Sequence, residues 1–150
     1  MRNKPGTHFG KKIELDGITF DSVKEAQFYE RFIKDCGYRY DIHPNFTLHD
    51  KIAVGGINMR GLTYKPDFVI YEPSGELKHV YDVKNSFGIY GVDAAANIRF
   101  RLFAARYNHP VEVVVVRKND FKMKVLSTTK QFEQQVMTSV DYRIQEFIGE

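Results

Sequence analysis

Residues 64–84, YKPDFVIYEPSGELKHVYDVK, combine two apolar runs with three charged side chains that can do chemistry. Asp67 belongs to the first run, Asp82 and Lys84 belong to the second, and turn-forming residues separate the two runs. Two carboxylates can bind a divalent cation together, and a nearby ammonium group can stabilise negative charge. These roles require that the two runs pair as strands.

The turn between the runs predicts a β-hairpin. The proline and the glycine of EPSGE suit the second and fourth positions of a type I turn. With a four-residue loop, 73–76, Glu72 pairs with Leu77 and Asp67 lies directly opposite Asp82. A five-residue loop is the alternative, and it leaves the two acids diagonal but still within reach of one ion.

Two acids in opposite positions on a sheet repel each other, so they need a compensating charge. A divalent cation between Asp67 and Asp82 supplies it, and hard oxygen ligands favour Mg²⁺ or Mn²⁺ over Zn²⁺. The alternative is that both acids face solvent, with Asp82 paired to Lys84 or Lys65. The continuous apolar runs beside the acids favour strands that are covered on both faces, where a charge needs a partner or a function.

An upstream helix adds a third acid. The segment DSVKEAQFYERFIKDCG, residues 21–37, has Ser22 as its N-cap and Gly37 as a left-handed C-terminal residue. A helical periodicity of about 100° per residue places Glu25 in the middle of the apolar face. Glu25 can be part of a capping box with Ser22, or it can be a third acidic member of a metal site, and one side chain can do both.

The rest of the sequence predicts a single α/β domain over residues 1–150. The patterns indicate a polar, mobile N-terminal arm (residues 1–12), an Asp-Gly hairpin (13–20), a strand (45–54) and a loop (55–61). They also indicate a second helix capped by Asp93 (93–107) and a C-terminal amphipathic helix (128–148). The second helix leads into the β-branched strand PVEVVVVRK. This crossover from the strand of Asp82 implies that the two strands are parallel.

Composition limits the function class. A net charge of +3 fits an anionic partner without establishing one, and the single cysteine, Cys36, excludes an internal disulfide and a multi-cysteine zinc site. The five histidines show no zinc-ligand spacing. No apolar run approaches the ~18 residues of a membrane span and no secretory signal is evident, so we expect a cytoplasmic protein without a membrane partner.

The PD motif at 66–67 and the DVK motif at 82–84, with fourteen residues between them, resemble the signature of the PD-(D/E)XK nuclease superfamily. The helix that carries Glu25 is similar to the acidic helix of Holliday-junction resolvases and small phage endonucleases, and the resemblance covers residues 9–117. It implies a restriction-endonuclease-like fold. In that fold a mixed central β-sheet is flanked by helices in the order αβββαβ, and here an extra C-terminal helix follows.

By position, the resemblance implies that Asp67, Asp82 and the backbone carbonyl of Val83 hold Mg²⁺ or Mn²⁺, and that Glu25 contributes directly or through water. Lys84 would orient the attacking water and stabilise charge, and with a lowered pKa it could act as a base. The implied activity is metal-dependent hydrolysis of DNA phosphodiester bonds by a phage or mobile-element endonuclease in the host cytoplasm. Branched or junction DNA, as formed in DNA recombination, is the substrate class that the resemblance favours.

Basic residues near this site are candidates for DNA contact. Arg99 and Arg101 belong to the helix that follows the strand of Asp82, and Lys11 and Lys12 belong to the N-terminal arm. Solvated surface charge is the alternative for all four. The loop NSFGIYG, residues 85–91, carries aromatic side chains that can either stack on a splayed base or pack against the protein.

A non-catalytic DNA-binding or assembly protein that keeps the fold is the alternative function. A decayed nuclease usually loses an acid or the lysine, and this sequence retains all of them. Nothing in the residues separates DNA from RNA as the substrate. One or two metals, and a monomer or a symmetric homodimer, are compatible with the sequence.

Overall fold

The computed structural model describes residues 12–150, so Lys11 and the rest of the predicted arm up to that residue lie outside the described part. The described chain is a mixed α/β fold with one large mixed sheet and few helices, which confirms the predicted class at this level. Within residues 12–150, none of the helices has the length and apolar character needed to cross a bilayer.

The predicted Asp-Gly hairpin is present. Its two strands are β1 (Ile13–Leu15) and β2 (Ile18–Phe20). Asp16 and Gly17 form the turn with positive φ values of 54° and 75°, as a two-residue hairpin loop requires. The hairpin leads directly into the first helix.

The first predicted helix forms, but its winding changes partway. Ser22 caps it, because its Oγ accepts a hydrogen bond from the Glu25 amide at 3.1 Å. Helix α1 (Val23–Phe28) continues into a π-helical turn (Tyr29–Ile33), and Gly37 follows with a φ of 85°. The Ser22 cap is therefore confirmed. Gly37 has the predicted left-handed conformation, but the helical segment ends earlier, at Ile33, so the prediction that Gly37 terminates the helix is wrong.

The remaining elements of the described chain are ten strands and two helices. In chain order they are β3 (Tyr40–Ile42), β4 (Phe46–His49), β5 (Ile52–Val54), β6 (Ile57–Met59), β7 (Leu62–Tyr64), β8 (Phe68–Tyr71), β9 (Leu77–Val83), α2 (Ala94–Tyr107), β10 (Glu112–Val116), β11 (Phe121–Lys124), β12 (Gln135–Met137) and α3 (Gln145–Ile148).

The main sheet has six strands in the order β12-β11-β10-β9-β8-β3. Strands β9 and β10 are parallel and are connected through α2, as the crossover pattern predicts, whereas all other neighbours are antiparallel. Asp93 caps α2, since its Oδ1 accepts a hydrogen bond from the Ala96 amide at 2.8 Å. The pairs β4–β7 and β5–β6 form two small sheets between β3 and β8 in the chain.

The loop of the β8–β9 hairpin differs from the prediction by one residue. The Gly75 amide donates a hydrogen bond to the Glu72 carbonyl at 2.8 Å, which is the predicted type I turn. The Glu72 amide also donates to the Glu76 carbonyl at 2.8 Å, so Tyr71 rather than Glu72 pairs with Leu77. The predicted Glu72–Leu77 pair is wrong because Gly75, with a φ of 92°, lets the chain close in a shorter loop.

A β-bulge next to this loop restores the predicted register in the rest of the hairpin. Phe68 pairs with Tyr81, and Asp67 and Asp82 are the next residues outward on their strands. The Asp67 amide also donates to the Tyr81 carbonyl at 3.0 Å. The two acids therefore lie at the same end of the hairpin, as the sequence predicts.

Both faces of the β8–β9 hairpin are covered, as the continuous apolar runs predict. Successive residues of each strand alternate between two buried clusters, one packed against α1 and its π-helical extension and the other against α2. The first cluster includes Phe28, Ile33, Phe68, Ile70, Tyr81 and Val114, and the second includes Val69, Val80, Phe100, Phe103 and Val113.

The predicted C-terminal helix over residues 128–148 is wrong. This segment forms β12 at the edge of the main sheet and then the single-turn helix α3. Buried hydrogen bonds hold it in an extended path. The Val140 carbonyl lies 2.8 Å from Nε2 of His79, and the Tyr142 hydroxyl donates to Glu112 at 2.5 Å.

The predicted strand over residues 45–54 and the predicted loop over 55–61 are also wrong in detail. The strand is divided into β4 and β5, and the loop contains β6, which pairs with β5 so that Val54 lies opposite Ile57. The Gly-Gly pair at the start of the predicted loop forms the turn. A Gly-Gly pair between apolar residues is a hairpin signal, and this signal outweighs the polar character of the surrounding loop.

Candidate metal centre

The paired acids at the open end of the β8–β9 hairpin are largely buried. The side chains of Asp67 and Asp82 expose 16% and 7% of their area. Asp67 Oδ2 accepts a hydrogen bond from the Val83 amide at 2.7 Å, and Asp82 Oδ2 accepts one from the Tyr64 hydroxyl at 2.6 Å. One oxygen of each carboxylate is therefore held in place by the protein.

The second oxygen of Asp82 lies next to a positive charge. Lys84 Nζ is 2.9 Å from Asp82 Oδ1 and forms a salt bridge with it, and no other group in residues 12–150 donates to this buried oxygen. Burial lowers the pKa of the Lys84 amine, but the Asp82 and Asp67 carboxylates outweigh that effect and the net shift is upward. In the metal-free protein this amine is an ammonium group, which can donate hydrogen bonds but cannot accept a proton.

Glu25 reaches the same site from the first turn of α1. Its side chain is 5% exposed, and its Oε1 lies 3.1 Å from Nε2 of His43. The same His43 nitrogen lies 3.7 Å from Asp67 Oδ1. The inward orientation of Glu25 is therefore confirmed. The Ser22 cap uses the Glu25 amide, which leaves the carboxylate free to face the other acids.

Three carboxylates in one largely buried region influence each other's protonation. Burial raises the pKa of Asp67 well above its ordinary value, and the charge of Asp82 and the contact with Glu25 raise it further. Burial also raises the pKa of Glu25, but hydrogen bonds with His43 and Asp67 outweigh it and the net shift is downward. Asp67 therefore holds a proton more readily than Glu25 when no cation is bound.

The backbone of Val83 also points toward these acids. The Lys84 amide points toward β10, since it donates to the Val114 carbonyl at 2.8 Å. Backbone groups of successive strand residues point to opposite edges, so those of Val83 point toward β8. The Val83 amide confirms this direction, because it donates to Asp67. In an extended strand the carbonyl of a residue points the same way as its amide, so the Val83 carbonyl faces the same edge.

Two adjoining depressions form the surface of the site, and Asp67 and Lys84 line both of them. We call them together the acidic cleft. One depression also contains Tyr64, Asp82 and Arg99, and the other contains Asp21, Glu25 and Val83. A larger depression, between the π-helical turn and residues 138–141, contains none of these groups. The predicted catalytic and metal-binding residues thus line two adjoining depressions that share Asp67 and Lys84, with Asp82 in one and Glu25 and Val83 in the other.

Of the three predicted DNA-contacting residues that the structure describes, only Arg99 lines the acidic cleft. Arg99 lies in the cleft, whereas Arg101 lines a separate depression that contains none of the acids. Lys12 is exposed, with Nζ 3.4 Å from Asp21 Oδ1. Lys11 lies outside the described residues.

Sequence reasoning missed His43, Asp21 and Tyr64. One ligand atom from each of Asp21, Glu25 and His43 lies within 4.8 Å of the others, so these three side chains form a second group that could hold a cation. His43 has a φ of 51° immediately before Pro44, a strained conformation of the kind that clusters at functional sites. The sequence does not reveal that conformation, and Tyr64 carries no motif of its own.

The loop over residues 85–91 separates its two aromatic side chains. Phe87 packs against the cluster beneath α2, whereas Tyr90 is 99% exposed. Gly91 lines the acidic cleft, and a Cβ on it would lie 2.2 Å from the Ser86 carbonyl oxygen, so only glycine fits there. Of the two aromatic residues, Tyr90 is the one that is available to a ligand of the cleft.

A family model covers most of the chain. Residues 7–136 match the family described as protein of unknown function (DUF1064), and this range contains every residue of the acidic cleft named above. No curated protein and no solved structure matches the chain significantly. Because the match spans well over half of its length, the chain belongs to the DUF1064 family.

Proposed function

We propose that the protein is a metal-dependent endonuclease that hydrolyses DNA phosphodiester bonds. The observation that carries the proposal is the convergence of Asp67, Asp82, Glu25 and Lys84 on the acidic cleft. Three acids held close together in a largely buried region are unfavourable unless positive charge offsets them, and a bound cation would add to the charge that Lys84 and His43 place beside them. A function in binding that cation accounts for an arrangement that packing alone does not favour.

The order of the elements supports a restriction-endonuclease-like core. When the two small sheets are set aside, the elements from the first helix onward run α1, β3, β8, β9, α2 and β10. This is the αβββαβ order that the sequence resemblance implies, and its last strand is parallel to β9. Strands β11 and β12 extend the sheet beyond that core.

The donor set fits Mg²⁺ or Mn²⁺. Asp67, Asp82 and the Val83 carbonyl would hold the ion, and Glu25 would contribute directly or through water, so every ligand is a hard oxygen atom. The fit rests on Asp82 Oδ1, which is buried and, in the described chain, has only the Lys84 ammonium beside it at 2.9 Å, and on Asp67, whose pKa is raised by burial and by its acidic neighbours. When bound, the ion supplies positive charge that offsets the charge accumulating on the phosphate oxygens.

The chain's own residues supply the other contributions. In the hydrolysis, a water oxygen forms a bond to phosphorus and gives up a proton to the solvent, the bond from phosphorus to the ester oxygen breaks, and the leaving oxygen takes up a proton from the solvent. Lys84, as an ammonium group in the cleft, donates a hydrogen bond that orients this water and stabilises charge on the phosphate. Arg99 binds a phosphate at the side of the cleft, while Tyr64 and the Val83 amide hold the two aspartates in position.

The test is a cleavage assay with the full-length protein. Plasmid, single-stranded, four-way-junction DNA and RNA are incubated with the protein in Mg²⁺ or in chelator. We expect cleavage of DNA only with Mg²⁺. We expect Asp82→Asn to lower the rate at least about 100-fold, because removing one well-placed electrostatic group costs a factor of this order.

The matched control is Asp35→Asn, which removes an exposed acid in a different depression and should leave the rate unchanged. Cleavage that persists in chelator or in Asp82→Asn would overturn the proposal. If the protein cuts nothing and binds DNA equally with and without metal, it is instead a non-catalytic DNA-binding protein with this fold. Cleavage confined to RNA would change the substrate but not the chemistry.

A further inference from the structure

The β5–β6 hairpin has an uncovered apolar face. Every residue from Lys51 to Arg60 is exposed, and the register pairs Ile52 with Met59 and Val54 with Ile57. Because side chains alternate along a strand, these two directly opposite pairs lie on one face of the hairpin. The four side chains are Ile52, Val54, Ile57 and Met59, and they are 54%, 53%, 65% and 49% exposed. A contiguous exposed patch of this kind indicates a binding surface.

The other face of the hairpin carries positive charge at its base. Continuing the register by one residue places Lys51 opposite Arg60, on the face that also carries Ala53 and Asn58. Among residues 12–150 neither cation has an ion-pair partner. Like charges in opposite positions destabilise a sheet, and an anion bound between them would remove that cost.

The hairpin is anchored close to the acidic cleft. Strand β7 follows it directly and ends at Tyr64, whose hydroxyl bonds to Asp82. Arg60 is four residues before Tyr64, so the two residues are at most about 14 Å apart along the chain. Gly61 fixes the base of the hairpin, because a Cβ at that position would lie 2.8 Å from the His49 carbonyl oxygen. Contacts made by the base of the hairpin would therefore fall within a few base pairs of the cleft, and those made by Ile57 at its tip within about 25 Å of Tyr64.

We propose that the β5–β6 hairpin is a DNA-contacting wedge. Val54 and Ile57, at its tip, contact base faces where stacking is interrupted, while Lys51 and Arg60 contact the flanking phosphates. This inference rests on the proposed function and narrows its substrate to DNA with a break in base stacking, such as a branch point. Apolar side chains that enter between base steps beside cationic residues are an established way for proteins to hold distorted DNA.

A second copy of the chain is a weaker candidate for this surface. A stable protein interface uses about 20–30 residues on each side, and the exposed hairpin from Lys51 to Arg60 is much shorter than that. Two hairpins packed by their apolar faces would also leave all four cations on the outer faces without partners. The charge of the hairpin therefore complements a polyanion better than it complements itself.

The test uses binding in chelator, so that it does not depend on cleavage. A four-way junction carries 2-aminopurine at the branch point, and its fluorescence reports unstacking. The variant is Val54→Thr with Ile57→Thr, because threonine keeps the β-branched shape that suits a strand. The matched control is Val136→Thr, which changes a side chain that is 52% exposed on β12.

We expect wild type to bind the junction more tightly than a duplex of the same length and to raise the fluorescence. The double variant should lose at least about tenfold in junction affinity, because one apolar side chain that leaves water on binding already contributes a factor of this order and threonine keeps only one methyl group at each position. It should also lose the fluorescence increase, whereas Val136→Thr should behave as wild type.

Junction binding and fluorescence that are unchanged in the double variant would overturn the wedge. The wedge would also be overturned if the wild-type protein bound the junction no more tightly than the duplex. It would be overturned as well if sedimentation showed that the double variant only dissociates a dimer. Cleavage of plain duplex with Mg²⁺ is measured alongside. If duplex is cut but the double variant binds the junction as wild type does, the wedge proposal fails and the nuclease proposal stands. If the binding results are as expected but no DNA is cut, the wedge proposal stands and the nuclease proposal fails.

Discussion

The two oxygens of Asp82 have different surroundings, and this difference defines the site at the scale of single residues. Oδ2 accepts a hydrogen bond from the Tyr64 hydroxyl at 2.6 Å, whereas Oδ1 is buried 2.9 Å from the Lys84 ammonium with no other donor in residues 12–150. A carboxylate with one oxygen fixed in this way keeps its other oxygen oriented for a further electropositive partner. We therefore propose Tyr64 as a positioning residue for the cation that Asp82 would bind.

Tyr64→Phe tests that role. The substitution removes the hydroxyl that orients Asp82 and keeps the ring in the cluster beneath α2. We expect Mn²⁺ affinity, measured by calorimetry, to fall by about 10–100-fold, which is the usual effect of losing a partner that orients a metal ligand. The change should appear as a weaker dissociation constant with the same number of bound ions.

Tyr107→Phe is the control for this prediction. Its hydroxyl donates to the Thr47 carbonyl at 2.8 Å, and its ring packs against the same cluster, but it contacts none of the acids. It should lower stability to a similar extent and leave Mn²⁺ affinity unchanged. Equal Mn²⁺ affinity in wild type and Tyr64→Phe would remove Tyr64 from the site.

The residues of the site differ in how readily the sequence reveals them. The inward orientation of Glu25 follows from helical periodicity, which depends only on neighbours in the same turn. His43 is different, because its contact with Glu25 depends on the path of the chain between the π-helical turn and β8. No local pattern encodes that path, so the sequence alone gives no reason to choose His43 over the other four histidines.

At the scale of elements, the C-terminal segment shows the limits of periodicity. Apolar residues four apart predict a helix, but Val136 in that series is 52% exposed while Val140 and Ile144 are buried. Val140 and Ile144 each pack separately into the core from an extended segment rather than from one face of a helix. Serine and threonine residues, which weaken helices, lie between them. In contrast, the β8–β9 hairpin follows its alternation pattern closely, and only its loop length was wrong.

The hydrogen-bond network that holds this segment predicts a stability effect. Tyr142 donates to Glu112, which also contacts His79 at 2.6 Å, and both Glu112 and His79 are fully buried. Tyr142→Phe leaves a buried carboxylate oxygen without its donor. We expect the free energy of unfolding to fall by about 2 kcal/mol and Tm to fall by roughly 4–8 °C, as measured by denaturant and thermal melts.

Tyr71→Phe provides the matched comparison. Its hydroxyl also donates to a carboxylate, Asp41, at 2.7 Å, but this pair is exposed to water. Exposed contacts of this type contribute little, so we expect a loss of at most about 0.5 kcal/mol. Equal losses in Tyr71→Phe and Tyr142→Phe would show that the buried network does not hold the C-terminal segment.

At the scale of the whole molecule, the main sheet brings distant parts of the chain to one cleft. Glu25 comes from α1, Asp67 and Asp82 come from the β8–β9 hairpin, and Arg99 comes from α2. The sequence predicts the helix, the hairpin and the parallel crossover because each has a local pattern. It does not predict the β5–β6 hairpin or the C-terminal path, which depend on a weak turn signal and on buried contacts between distant residues.

The central claim is that Asp67, Asp82 and the Val83 carbonyl bind one divalent cation. A crystal of the protein soaked in Mn²⁺ tests it most directly, because anomalous scattering locates the ion without relying on catalytic activity. We predict a manganese peak that contacts oxygens of both aspartates and the Val83 carbonyl, with Glu25 bound directly or through water. The absence of manganese between Asp67 and Asp82, or a peak confined to Asp21, Glu25 and His43, would contradict the account.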